Sequence, residues 1–282
     1  MFTIPRIPLG RVISDSLDAF IAFSSGATRA ISDGMDIAIT AVESGLLWVH
    51  PLALIALFTF AAWYAGRKWG FPLFTALGFG LILNMGFWTA AINTLTLVFC
   101  SALLAIAIGI PAGLCAAIFP RVEKAFSPVL DVMQTMPSFV YLIPAIPLFG
   151  LGKVAALFAT LVFALPPAIR MTCLGIRQVP ADLVECAEAF GSTRFQRLVK
   201  LELPLAAPTI LAGINQTVML SLSMTVIAAM IGARGLGGEV WKAIQRLNIG
   251  LGFEAGLGIV ILAIFLDRLL NKLGARVSRH GG

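Results

Sequence analysis

The sequence carries little charge, and this scarcity excludes an ordinary soluble domain. Only 12% of its 282 residues are charged, whereas 59% are hydrophobic and the mean hydropathy is +0.95. Soluble domains have about a quarter charged and about half apolar residues. The apolar excess is arranged in long blocks, and a helix needs about 20 apolar residues to cross the hydrocarbon layer. The composition therefore predicts an all-α polytopic membrane protein.

Metal-binding and catalytic side chains are scarce as well. The four cysteines and two histidines do not have the spacing of a metal site or of a disulfide framework. These residues are Cys100, Cys115, Cys173, Cys186, His50 and His280. We expect no metal site and no catalytic residue in this chain.

A phosphate-binding loop is also missing. The only Gly-Lys pair, Gly152-Lys153, is followed by Val154, whereas a phosphate cradle requires Gly-x4-Gly-Lys-Ser/Thr ahead of a helix. We therefore expect that the chain binds no cofactor and does not hydrolyse ATP on its own.

Residues 1–45 differ from the rest of the chain. They lack a continuous apolar core followed by a small-residue cleavage site, so we do not expect a cleavable signal. Their apolar residues follow helical spacing and alternate with acidic ones, which predicts one or two amphipathic helices on the membrane surface or on the bundle. The alternative is a partly disordered tail. The two apolar series are Ile13, Leu17, Phe20, Ile21 and Ile31, Met35, Ile39, Val42, Leu46.

About seven membrane spans follow, within a membrane domain predicted at 46–274 that precedes a short basic tail at 275–282. The spans are predicted at 46–66, 71–89, 91–118, 129–150, 153–174, 206–231 and 251–270. Thirteen of the 20 Lys and Arg residues then lie on the side of the membrane that carries residues 177–200. Basic loops mark the cytoplasmic side, so we expect the N-terminus outside and the C-terminus in the cytoplasm. The same rule accounts for the net charge of +6 without nucleic-acid binding.

The cytoplasmic loop at 178–205 has the pattern of two short helices joined by a turn. Asp182 is suited to cap the first helix, with Glu185 as its capping-box partner, and Gly191 to end it. Ser192 or Thr193 caps the second helix. Pro204 is predicted to end that segment at the membrane. Such an amphipathic pair either packs on the bundle or docks into a groove of a partner protein.

Seven positions of this loop have a fixed spacing that resembles a family motif. They are Glu185, Cys186, Ala187, Gly191, Leu201, Leu203 and Pro204. The spacing resembles the EAA loop of ABC importer permeases, which reads Glu-Ala-Ala-x3-Gly-x9-Ile-x-Leu-Pro. Cys186 departs from the middle alanine and Leu201 from the isoleucine, and both departures keep the residue apolar.

The resemblance implies a type I ABC importer permease fold and a division of labour between subunits. The 178–205 loop would insert into a separate ATPase, present in two copies, which holds the ATP and Mg. Glu185, Ala187 and Gly191 would carry that contact. The permease would form a homodimer in the inner membrane and receive cargo from a separate extracytoplasmic binding protein.

A narrower resemblance concerns the cargo. The segments 131–144 (DVMQTMPSFVYLIP) and 215–224 (NQTVMLSLSM) are similar to permeases of glycine betaine, proline betaine and choline importers. So are residues 232–238, 258–268 and the start at 5–9. The resemblance implies a quaternary ammonium cargo, for which aromatic faces are favoured ligands. Candidates for the translocation path are Phe139, Tyr141, Trp88, Asn215, Gln216, Ser221 and Ser223.

Two other functions stay open. An ABC permease could carry another small solute, such as an amino acid, taurine or methionine. A secondary transporter driven by an ion gradient is disfavoured, because such proteins place ionisable groups within the membrane. Here Asp131, Glu254 and Asp267 lie near the predicted span ends.

Overall fold

Helices are the expected solution for a chain this apolar, because backbone groups in lipid have no water to bond. The computed structural model describes residues 9–66 and 68–280, and all regular structure in these ranges is helical. The all-α prediction is thus confirmed. The first eight residues of the predicted N-terminal segment, Arg67 and the last two residues of the predicted basic tail lie outside the described residues.

Twelve α-helices follow one another along the described chain. They are α1 Leu9–Trp48, α2 Pro51–Gly66, α3 Gly70–Asn84, α4 Trp88–Ile118, α5 Pro120–Thr135, α6 Leu142–Phe149, α7 Lys153–Arg177, α8 Ala181–Ala189, α9 Arg194–Arg197, α10 Leu203–Ala228, α11 Leu236–Gln245 and α12 Ile249–His280. Short 3-10 turns cover Ser138–Tyr141 and Ala229–Ile231, and a π-helical turn covers Leu198–Glu202.

The prediction of about seven spans is approximate. Four described helices are long and apolar enough to cross a membrane. The number of spans rises to as many as six if each of the two bent helix pairs forms one span. The spans predicted at 46–66 and 71–89 are the shorter helices α2 and α3. The span predicted at 129–150 is not a straight helix, because α5 and the helical segment Ser138–Phe149 meet at an angle of 112°. Pro137 lies at this break, and the residue before a proline is disfavoured in helical conformation.

The N-terminal segment forms one continuous helix rather than two. From α1 to α2 the chain bends by 101°. Ile39 is buried, and Met35 and Leu46 pack against the bundle. The second apolar series of the sequence therefore faces the other helices, whereas Ile31 remains half exposed.

Helix α7 is the central element of the bundle and packs along both α4 and α10. Glycines allow the close approach of these helices. A Cβ atom on Gly113 of α4 would lie 2.6 Å from the carbonyl oxygen of Ile169 in α7. A Cβ on Gly213 of α10 would lie 2.5 Å from the Met171 Cβ atom. Small residues at such contacts are typical of helix packing in membranes.

A second packing unit joins α2, α3 and α12 through aromatic rings. The Phe79 and Phe265 rings meet edge to face with centroids 5.1 Å apart, and the Phe58 ring is tilted against both, with centroid distances of 5.0 and 5.6 Å. Trp88 meets the Phe79 ring at 6.5 Å. Edge-to-face pairs add to the stabilisation from burial.

Opposite ends of the bundle carry different polar contacts. At one end, which we call the α1 end, the Lys153 ammonium lies 3.3 Å from Asp36 and donates to the Thr40 hydroxyl at 2.5 Å. At the other end, the α8 end, the Arg177 guanidinium donates to Glu123 at 2.7 Å. The 178–205 loop leaves the bundle from the α8 end, directly after α7.

Candidate functional site

The 178–205 loop begins with α8, which ends in a tight left-handed turn. Gly191 has φ +77°, a conformation that favours glycine. Its N–H donates to the Glu188 carbonyl at 2.9 Å, and the Ser192 N–H donates to the Ala187 carbonyl at 3.0 Å. This pair of bonds is the Schellman motif. Gly191 therefore ends the first helix, as its sequence position predicted.

The start of α8 differs from the prediction. The helix begins at Ala181 after Pro180, and no side chain caps it, so the predicted cap by Asp182 is wrong. The helix starts two residues earlier than expected, which places Asp182 in the first turn. A carboxylate there is still favoured by the helix dipole.

The apolar face of α8 is not covered by the bundle. No residue of α8 is buried, and its main packing partner is the neighbouring α9. Phe190 is 87% exposed and Phe195 73% exposed, and Leu183 and Cys186 are also exposed. A contiguous exposed apolar surface rimmed by polar residues is typical of a binding site for another protein.

The second helix of the loop is capped as predicted. The Thr193 hydroxyl accepts from the Gln196 N–H at 3.3 Å, and the Gln196 side chain accepts from the Thr193 N–H at 2.9 Å. This reciprocal pair is a capping box.

Pro204 does not end the segment, so that prediction is wrong. The chain passes from α9 through the π-helical turn into α10 as one span, Arg194–Ile231. Pro204 has no N–H to donate to the Lys200 carbonyl, and the Leu203 N–H donates one residue further back, to Leu198. The wider π-helical turn thus lets the helix continue past a proline that cannot donate a hydrogen bond. Leu203 itself is half-buried and packs against Ile176 and Ala206.

The predicted loop residues therefore lie in two places. Glu185 and Cys186 are exposed on α8, Ala187 is half-buried, and Gly191 forms the exposed turn. Leu203 and Pro204 lie at the start of α10, where the loop joins the bundle. The loop therefore has an exposed part, formed by α8 and the Gly191 turn, and a base at the start of α10.

The candidates for the translocation path are spread over the molecule. Trp88 and Tyr141 are buried, and the Tyr141 hydroxyl donates to the Met133 carbonyl across the break between α5 and α6. Ser221 is fully buried in α10. These three side chains face the interior of a single chain.

Three other candidates lie on the surface of the single chain. Phe139 is 53% exposed, and Gln216 and Ser223 are exposed on one stripe of α10, seven residues apart. The Ser223 hydroxyl donates to the Met219 carbonyl at 3.1 Å. Two helical turns separate Gln216 from Ser223, so both point in the same direction.

Asn215 has a specific partner on another helix. Its amide donates to the Asp267 carboxylate of α12 at 2.9 Å, and the Asn271 amide donates to the same oxygen at 2.9 Å. Asp267 lies inside the span Ile249–Ala275 rather than at its end. Both residues were identified from the sequence, but their pairing could not be predicted, because 52 positions separate them in the chain.

Comparison with protein families gives one match. Residues 105–279 match the family model described as binding-protein-dependent transport system inner membrane component. The matched region includes α7, the whole 178–205 loop and α10.

Several characterised relatives align over the whole chain. The glycine betaine transport system permease protein OpuAB of Bacillus subtilis is 46% identical over 281 residues, which cover 100% of this chain and 99% of that protein. The glycine betaine/carnitine transport permease protein GbuB of Listeria monocytogenes is 48% identical, with 99% of each chain covered.

Solved structures share the architecture at lower identity. A chain of the MetNI methionine ABC transporter, in an inward-facing form, superposes with a TM-score of 0.60 and 22% identity. The superposition covers 72% of this chain and 96% of the MetNI chain. The described helices thus have the fold of an ABC importer permease.

Proposed function

Because the chain belongs to the family of binding-protein-dependent transport system inner-membrane components, we propose that it imports a quaternary ammonium solute of the glycine betaine type. It is a multi-pass inner-membrane permease of an ABC importer, and its partners are an ATPase and a substrate-binding protein. Relatives named for glycine betaine at 46% and 48% identity over the full chain support the cargo. Transport of methionine or another amino acid has no comparable support.

The observation that carries the coupling role is the uncovered apolar face of the 178–205 loop. Phe190, at the end of α8, and Phe195 of α9 are both largely exposed in the single chain. We propose that this face docks into a groove of the ATPase, with Glu185, Cys186, Ala187 and Gly191 at the contact. The exposed phenylalanines would supply the buried anchors that such contacts need. ATP and Mg would be held by that partner.

The charge pattern supports an orientation for the molecule. The α8 end would face the cytoplasm, where an ATPase is found, and the α1 end would face outward. The N-terminus would then lie outside and the C-terminus inside. The substrate-binding protein would dock at the α1 end, where Arg234 and the exposed side of α11 lie.

We further propose that two copies of this chain form the translocation path between them. The exposed stripe of α10 that carries Gln216 and Ser223 would face the partner copy, because polar side chains are costly against lipid. Phe139 would add an aromatic face for the cation. Tyr141 and Ser221 would support this surface from behind. A two-fold arrangement is the usual form of such homo-oligomers.

The function is tested by ATP hydrolysis of the chain reconstituted in lipid vesicles with its ATPase and substrate-binding protein. Glycine betaine, choline, carnitine, proline betaine and trimethylamine N-oxide are added one at a time. We expect one or more of them to stimulate hydrolysis and to accumulate in the vesicles. A complex that assembles but responds to none of them would contradict the cargo. Failure to assemble with the ATPase would contradict the permease role.

A further inference from the structure

A charged triad links the exposed part of the 178–205 loop to its base. The Arg197 guanidinium pairs through Nη1 with Glu188 of α8, and its Nε lies 2.7 Å from Oε1 of Glu202. The contact with Glu202 is an ion pair rather than a hydrogen bond, since the Nε–H has no aligned acceptor. One side chain thus contacts both α8 and the residue immediately before α10.

Burial distinguishes the contact between Arg197 and Glu202 from the one with Glu188. Glu202 is the only buried charged residue in the described part of the chain, with 10% of its side chain exposed. A buried carboxylate that loses its counter-charge is strongly disfavoured. Glu188, by contrast, is 56% exposed and can be changed without leaving a buried charge.

The triad also spans the π-helical turn between α9 and α10. Arg197 immediately precedes the π-helical turn and Glu202 is its last residue. In this turn the hydrogen bonds run over five residues and the helix is locally widened. Pro204 prevents this turn from closing into a regular α-helix. Without the ion pairs of Arg197 across this turn, movement of α8 would bend the π-helical turn instead of displacing α10.

We propose that Arg197 is a positioning residue that joins α8, α9 and the start of α10 into one rigid lever. The proposal rests on the docking of α8 into the ATPase. A displacement of α8 then becomes a displacement of α10, which packs along α7 in the centre of the bundle. Breaking the triad leaves the ATPase docked but transmits less of its movement. The effect is therefore on the number of solute molecules imported per ATP hydrolysed.

Two variants separate this role from folding. Glu188→Gln removes the exposed ion pair between Arg197 and Glu188 and leaves the pair between Arg197 and Glu202 intact. The double variant Arg197→Met/Glu202→Leu removes the buried pair as a whole, and replacing a buried ion pair by apolar residues is generally tolerated. Glu123→Gln is the matched control, because it breaks an ion pair of similar exposure between α5 and α7 that does not involve the loop.

The measurement is glycine betaine imported per ATP hydrolysed, in vesicles that hold equal amounts of the assembled complex. We expect the ratio to fall about fivefold or more in the double variant, the scale of a typical coupling between sites. Glu188→Gln should lower it in the same direction, and Glu123→Gln should leave it unchanged. The triple reversal Glu188→Arg/Arg197→Glu/Glu202→Arg should restore it.

Three results would overturn the lever. They are an unchanged ratio in both variants, an equal loss in the Glu123→Gln control, and a failure of the triple reversal to recover any coupling while it assembles normally. If the double variant does not assemble, the Glu188→Gln ratio decides alone. A wild-type chain that never binds the ATPase would instead contradict the docking role itself.

Discussion

The turn at Gly191 offers the sharpest test of the docking loop. Its backbone has φ +77°, and a Cβ atom added there would meet no heavy atom within 4 Å. Substitution therefore strains the backbone without a clash against any neighbour. An L-residue pays roughly 1–2 kcal/mol in the left-handed region, and a β-branched residue is a genuine outlier there.

This strain gives a graded expectation for three variants. One to two kcal/mol lowers the ratio of formed to unformed turn by roughly 5–30-fold. Gly191→Ala should therefore reduce ATP-coupled uptake, and Gly191→Val should abolish it. Gly191→Asn should retain most uptake, because asparagine tolerates the left-handed conformation and occurs at this helix position. Membrane insertion should be normal in all three.

The assay is uptake of labelled glycine betaine into vesicles, with the amount of inserted permease measured in the same samples. Asparagine projects a side chain about as large as valine into the same space, so it controls for size. Equal loss in the Asn and Val variants would show that bulk at the docking surface matters, and not the turn. Normal uptake by Gly191→Val would refute the assignment of this loop to ATPase coupling.

Two further predictions concern the bundle, each checked by thermal unfolding in detergent. Asp267→Leu removes the carboxylate that accepts from the Asn215 and Asn271 amides and should lower the free energy of unfolding by about 1–3 kcal/mol. Asp267→Asn is the control, because it keeps an acceptor oxygen. An equal loss of stability in both variants would contradict the role of the hydrogen bonds. Gly113→Ala places a methyl group against the α7 backbone and should lower the free energy of unfolding by about 1–3 kcal/mol. Gly80→Ala is the control, because a Cβ atom there has no heavy atom within 4 Å. A similar loss of stability in the control would show that the close approach of α4 and α7 is unimportant.

Local sequence signals identified the elements whose structure depends on neighbouring residues. Hydropathy located the long helices α4, α7, α10 and α12, because their apolar runs are continuous. Gly191 and Thr193 were assigned correctly, since a left-handed stop and a capping box each involve only a few adjacent positions.

The effect of a proline on its helix was harder to predict from the sequence. Pro137 and Pro204 both remove a backbone donor, but Pro137 lies at a sharp break, whereas the chain continues past Pro204 as one span through a π-helical turn. Leu203, directly before Pro204, packs against the buried cluster of Ile176, Ala206 and Ile210 at the base of the loop. No local pattern reports that contact.

Pairings between distant residues could not be predicted at all. The Asn215–Asp267 bond joins two helices that are remote in sequence, and only the assembled bundle shows it. The same holds for the burial of Trp88 and Tyr141, whose side chains look identical in sequence to exposed ones. Aromatic residue type alone does not distinguish a cargo-binding surface from a core position.

The close contact at Gly113 also limits how α4 can turn. Rotation of α4 about its own axis by one residue, about 100°, would bring a side-chain-bearing position, Ala112 or Leu114, against the Ile169 carbonyl. Gly109 lies one turn before Gly113 on the same face, and a Cβ atom there would lie 2.4 Å from the Ala168 Cβ atom. Two successive turns of α4 are therefore held with this face against α7.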